Sequence, residues 1–134
     1  MRKELMFSLR PHLEKLQLNP QYQGTHMNGP CLTIDLVRPA LVYFEHGLIL
    51  TIDDIKFYVS DLDELVGLCR RLAQPHLHAT QTLIDKFKCL PLGNGLSVSG
   101  VWFEENAPGV WLMHNQGETV NMTYADVESA LRGL

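Results

Sequence analysis

Residues 32–59, LTIDLVRPALVYFEHGLILTIDDIKFYV, decide the fold class. Apolar residues recur at every second position in four short runs: Leu32/Ile34/Leu36, Leu41/Tyr43, Leu48/Leu50/Ile52 and Ile55/Phe57/Val59. That period is the signature of strands. Arg38-Pro39, His46-Gly47 and Asp53-Asp54 separate the runs and are turn chemistry, so an antiparallel meander is expected. The last two runs are equally compatible with one bent strand.

On the carboxyl side the period changes to that of a helix. Ser60 can cap the amide three residues on, and Asp63 stands where it can return that bond. Asp61 and Glu64 fall in the first turn, Arg70 and Arg71 in the last, and Leu62, Leu65, Val66, Cys69 and Leu72 form the apolar face. After Gln74-Pro75 a second helix is expected from His76 to about Lys88, carrying Leu77, Leu83, Ile84 and Phe87, with Leu92-Gly-Asn-Gly95 ending it. Then come a strand over 96–105 with a bulge at Gly100, a turn over 106–109, strands over 110–114 and 119–122 joined at Gln116-Gly117, and a last helix capped by Thr123 and Asp126.

On the amino side Leu5, Met6, Leu9, Leu13 and Leu16 have helical spacing, interrupted by Pro11. The helix is either kinked there or begins near Ser8, because proline is tolerated only in a first turn. Asn19-Pro20 ends it, and residues 21–30 read as loop. The chain is therefore expected to be one α+β domain over residues 1–134. Helices flank an antiparallel sheet in the order helix–strands–helices–strands–helix.

Composition narrows the function. The chain is 46% hydrophobic and 19% charged, which suits a folded domain. No apolar run is long enough for a membrane span or the core of a signal peptide, so a cytoplasmic location is expected. Cys31, Cys69 and Cys89 are far apart and unpatterned, as reduced core thiols would be. From Leu90 onward Arg132 is the only lysine or arginine, against Glu104, Glu105, Glu118, Asp126 and Glu128. A phosphate-tracking groove is not expected there, and no nucleic-acid partner with it.

No motif for catalysis or for a cofactor is present. Cys69, His76, His78 and Cys89 have metal-ligand side chains but match no common zinc spacing, and residues two apart on a helix point to different sides, so no metal is expected. His26, Met27 and Cys31 read as structural. Neither a phosphate-cradling glycine loop nor a nucleophile elbow occurs. Asp53-Asp54 and Glu104-Glu105 resemble carboxylate pairs, yet neighbours on an extended chain point to opposite faces, so each pair is expected to mark a solvated turn.

What remains is apolar residues on both parities of the strands: Val42 and Phe44 beside Leu41 and Tyr43, Trp102 beside Val101 and Phe103, Trp111 and Met113 beside Val110 and Leu112. The second face must be covered by the chain's own helices, by a subunit or by a partner. A faint echo links Val42-Tyr-Phe-Glu45 with Val101-Trp-Phe-Glu104, and Gly47-Leu-Ile-Leu with Gly109-Val-Trp-Leu. It is compatible with a duplication or with shared composition.

The order of elements resembles the class I chaperones of bacterial type III secretion systems. The resemblance runs over most of the chain: residues 32–35 as first strand, 40–50 as the following hairpin, the helix around Thr82–Phe87, Leu96-Ser-Val98, the strand Gly109-Val-Trp-Leu-Met113 and the helix over 124–131. It implies a non-enzymatic protein-binding dimer, homo- or heterodimeric, that holds the amino-terminal segment of a secreted client. By position, Leu9, Leu13, Leu16, Leu41 and Tyr43 would line the client groove. Leu83, Ile84, Phe87, Trp102 and Trp111 would lie at the subunit contact. Two other readings stay open. One is a single-stranded nucleic-acid binder built of tandem strand-helix repeats, and the other a small phage or toxin-neutralising inhibitor that blocks a protein target.

Overall fold

The computed structural model describes the backbone of residues 2–26, 29–44 and 47–134, and side chains from Phe7 onward apart from residues 24–30, 45 and 46. The side chains of Leu5, Met6 and His26, and all of Met27 and His46, lie outside the described residues. The chain divides into two compact units, Met1–Ile52 with Lys56–Arg71, and Asp53–Ile55 with Leu72–Leu134.

Elements follow in the order α1 (Arg2–Lys15), β1 (Gln21–His26), β2 (Gly29–Asp35), β3 (Pro39–Tyr43), β4 (Leu48–Ile52), β5 (Ile55–Val59) and α2 (Leu62–Ala73). The second half repeats that order with α3 (His78–Phe87), β6 (Leu90–Leu92), β7 (Gly95–Val98), β8 (Val101–Ala107), β9 (Val110–Asn115), β10 (Glu118–Met122) and α4 (Tyr124–Arg132). The class is α+β with the expected element order. The strands form two antiparallel five-stranded sheets, β1-β2-β3-β4-β5 and β10-β9-β8-β7-β6, each a meander in which every strand pairs with its chain neighbour.

In the first sheet the alternation read from the sequence sets one continuous buried face, and the pair Cys31 and Tyr43 is buried on the other. Leu32, Val42 and Leu50 pair across three strands and are all buried, whereas their neighbours Thr33, Leu41 and Thr51 pair with one another and are half-buried. Leu9 and Leu13 of α1 and Leu65, Leu68 and Cys69 of α2 belong to the buried set. The helix α1 runs continuously through Pro11. In the second unit, Leu83 of α3 and Val127 and Leu131 of α4 cover Leu96, Val101, Phe103 and Trp111 on one face of the sheet.

Two-residue turns with both residues left-handed join the hairpins: Asp53-Asp54 (φ 53° and 63°), Ser99-Gly100 (51° and 75°) and Gln116-Gly117 (49° and 87°). Such turns match the twist of the strands they connect. Gly100 is therefore a turn residue and not a bulge, and the single strand expected over 96–105 is the hairpin β7–β8. Ile52 and Ile55 lie on two strands, not one bent strand. The stretch expected to be loop contains β1, which pairs with β2 from Gln21 opposite Thr33 to His26 opposite Gly29. The helix α3 ends at Lys88, which takes a left-handed cap (φ 58°), so Leu90–Leu92 is free to form β6.

The start of α2 also differs from the expectation. Asp61, not Ser60, is the cap: its Oδ1 accepts from the Glu64 amide at 2.8 Å, and its carbonyl accepts the first helical bond from Leu65 at 3.1 Å. Glu64, not Asp63, returns the bond, accepting from the Ser60 amide at 2.9 Å and from the Ser60 hydroxyl. An acid in place of a hydroxyl one residue later serves the same orphan amides. At α4 the expected box is present, with Asp126 N donating to Thr123 Oγ1 at 3.2 Å and Thr123 N to Asp126 Oδ2 at 3.0 Å.

Asp61→Ala should therefore lower stability by about 1 kcal/mol in urea denaturation, and Ser60→Ala by less. The Ser60 hydroxyl first, then its amide, holds the Glu64 carboxyl below the usual carboxylate range. A lowered folded pKa contributes stability above the unfolded value that is lost as pH falls through the folded one. The gap between wild type and Ser60→Ala should accordingly close on acidification, and a gap unchanged by pH would contradict this cap.

Candidate functional site

Pairing registers make the two hairpins comparable. Val42 stands opposite Leu50 in β3–β4, and Glu104 opposite Leu112 in β8–β9, the same number of residues apart. Counted by pairing register, Glu104 holds the place in its hairpin that buried Val42 holds in the other, and the Val42/Val101 echo in the sequence is out of register. Gly47 and Gly109 do correspond, both with positive φ (96° and 78°).

A carboxylate where the sister hairpin has valine needs compensation, because burying an unpaired charge is costly. Glu104 is fully buried. Its Oε2 accepts from Asn94 Nδ2 at 3.0 Å, and its Oε1 lies 2.9 Å from His114 Nε2. The other ring nitrogen, Nδ1, is 3.2 Å from Thr119 Oγ1 on β10. An ionised carboxylate requires the proton on Nε2, so in the neutral ring Nδ1 accepts from the threonine hydroxyl. Trp102 stacks on the His114 ring, centroids 4.8 Å apart at 24°, and its indole Nε1 donates to the Leu92 carbonyl at 2.9 Å. Glu105 points to the opposite, helix-covered face, accepting from Thr80 Oγ1 at 2.9 Å and from the Gly109 amide at 3.3 Å.

Both acids are interior strand residues, which corrects the solvated turn expected for Glu104-Glu105. Their opposite orientation is as expected. The misreading follows from the strand's length: β8 continues to Ala107, so Glu104 precedes the turn by a full stretch of paired residues. A hydroxyl, an imidazole and a carboxylate in contact are the groups that activate nucleophiles in hydrolases. Here Thr119 and His114 are direct cross-strand partners, so their contact is that of ordinary sheet pairing. It ties β10 to β9, and through Glu104 to β8.

Four of the five residues of the strand so anchored are exposed. β10 is a sheet edge whose residues Glu118–Asn121 are exposed, with Val120 44% accessible. An edge presents unpaired amides and carbonyls, and proteins guard such rows with proline, lysine, bulges or brevity. The other edges carry these devices. β6 has three residues with Pro91 at its centre, β1 has an irregular register between Tyr22 and Thr25, and β5 carries exposed Lys56. β10 has no proline, lysine or bulge, its one charge is Glu118 next to the turn, and it pairs in unbroken register from Glu118 opposite Asn115 to Met122 opposite Trp111.

Compared with protein-family models, curated proteins and solved structures, the chain matches none. The assignment of sites therefore rests on geometry.

The residues singled out in the sequence fall mostly in the interior. Leu9 and Leu13 are fully buried and Tyr43 nearly so, while Leu16 and Leu41 keep partial exposure. Leu83, Trp102 and Trp111 are buried within the chain, and Ile84 and Phe87 pack against the α3–α4 core of the second unit. Their burial needs no second subunit. The three cysteines are buried, and burial pushes every thiol up, Cys69 to about 12. No cluster of three or more His, Cys, Asp or Glu among the described residues is placed to hold a metal ion, and no described helix is long and apolar enough to cross a membrane.

An open cleft of about 700 Å³ in the second unit lies among the turns Asp53-Asp54 and Ser99-Gly100, the residue Gln116, and Lys88-Cys89. Acids and a base line the same walls. No single ligand charge is favoured by that mixture.

Proposed function

We propose that the chain is a non-enzymatic protein-binding domain that takes an extended segment of polypeptide as an added strand on β10. The observation that carries this is the open edge: five residues in regular register, four of them exposed, without proline, lysine or bulge, and braced from behind by the Thr119–His114–Glu104 contacts. Main-chain hydrogen bonds supply affinity in such docking, and alternate side chains supply selectivity. The resemblance to type III secretion chaperones supports the same kind of activity, with a secreted client or a second subunit as the docked chain, in the bacterial cytoplasm. The dearth of cations after Leu90 speaks against a nucleic acid in that place.

The test is a phage-displayed library of linear peptides panned on the pure protein, followed by titration of the enriched peptide. Methylating alternate backbone amides of that peptide should weaken binding roughly tenfold or more, since each lost main-chain bond is worth about 1 kcal/mol. Binding indifferent to backbone methylation, or unaffected by changes on β10, would remove the edge as the site.

A further inference from the structure

We infer that the strand added to β10 is β10 of a second copy, giving a two-fold dimer whose sheets run on as one. This rests on the reading of β10 as the docking edge and names its partner. Strand β10 is Glu118-Thr-Val-Asn-Met122, five residues. Laid antiparallel against itself, it pairs all five residues in one register only, with the dyad at Val120. Val120 then meets Val120 of the second copy, Thr119 meets its Asn121, and Glu118 meets its Met122.

Each of those pairs is favourable or neutral. Val120 lies on the side of the sheet that faces the helices, because its cross-strand partner Met113 packs against the α3–α4 core, so the central pair is aliphatic against aliphatic. Thr119 and Asn121 share the other side and can bond to one another across the seam. The single charged residue, Glu118, meets a methionine, so no like charges stand opposite, which is the usual bar to self-pairing of an edge. An isologous contact of this kind closes on itself and leaves no further β10 edge free. The seam differs from the subunit contact that the chaperone resemblance implies, since Leu83, Trp102 and Trp111 are buried within the chain.

Light scattering on the purified full chain should give twice the 15.2 kDa chain mass over the micromolar range. Val120→Asp and Val120→Lys should each be monomeric, because like charges then face each other across the dyad, and an equimolar mixture of the two should return to the dimer mass. Val120 is exposed enough that both variants should stay folded, with the circular dichroism spectrum of wild type and a melting temperature that, unlike the wild type's, does not rise with concentration. As a reading that needs no variant, hydrogen exchange of the β10 amides in wild type should slow as concentration rises. A dimer whose mass is unchanged in both variants, or a mixture that stays monomeric, overturns the inference. A monomeric wild type that still binds the enriched peptide at β10 overturns the second copy alone, and one that binds no peptide there sinks the edge reading with it.

Discussion

Gly95→Ala should destabilise the chain by about 3 kcal/mol or more, at the upper end of what overpacking costs. Gly95 is the cross-strand partner of Glu104, and a methyl built on it would sit 2.0 Å from the Phe103 carbonyl oxygen and 2.8 Å from the Glu104 Cα. Both are backbone atoms of β8 and cannot swing aside as a side chain would. Relief therefore requires β7 to part from β8. Asn94 would move with β7, and with it the carbonyl that accepts from the Glu105 amide at 3.1 Å and the Nδ2 that donates to Glu104. Gly67 is the internal control: it lies in α2 with nothing within 4 Å of the added methyl, so Gly67→Ala should stabilise by up to about 1 kcal/mol through helix propensity. Urea midpoints of the two variants should move in opposite directions, and a Gly95→Ala protein as stable as wild type would show that the two strands are not as close as described.

His114→Leu should cost about 3 kcal/mol, the upper end for stripping a hydrogen-bond partner from a buried polar group. Leucine fills most of the imidazole's volume and can still lie against Trp102. What it removes is the Nε2 partner of a carboxylate that has no exposure, leaving Glu104 to Asn94 and its remaining contacts. Thr119→Val, in contrast, removes only the half-exposed bond to Nδ1 and should cost about 1 kcal/mol or less. Chemical denaturation at neutral pH separates the two. Equal and small losses would mean that Glu104 is not charged in the folded chain.

The parts of the fold legible in the sequence were those governed by local periodicity and turn chemistry. Ile55, Phe57 and their neighbours read as strand because one side of the sheet is buried and the other is not, and Asp53-Asp54 and Gln116-Gly117 read as turns because their side chains tolerate left-handed backbone. The strands β1 and β6 carry no such alternation. Gln21–His26 holds no aliphatic residue and becomes a strand by pairing with β2, and Leu90–Leu92 holds a proline that only an edge accepts. The Ser99-Gly100 turn was hidden because valines flank it on both sides, so the apolar run seemed to continue.

The candidate site was less legible for a related reason. Leu9, Leu13 and Trp111 stand out as large apolar residues, and that same property places them in the core. Thr119 and Val120 have nothing unusual about them. Their interest comes from lying on an edge, which is a property of strand order. The acid at position 104 shares a face with Trp102 and carries the only sequence signal of the buried network, once the strand is known to run past it.

A meander of this kind also has a direction in time. Because each strand bonds to the one before it, every pairing in the first sheet has both of its members once Val59 has left the ribosome, and none waits for the second half of the chain. The second sheet grows in the same way from β6 toward β10, so its outermost strand is the last to be synthesised. Until β10 arrives, β9 is itself a bare edge carrying His114 and Trp111, and the short stretch from Gln116 to Met122 is what closes it during synthesis.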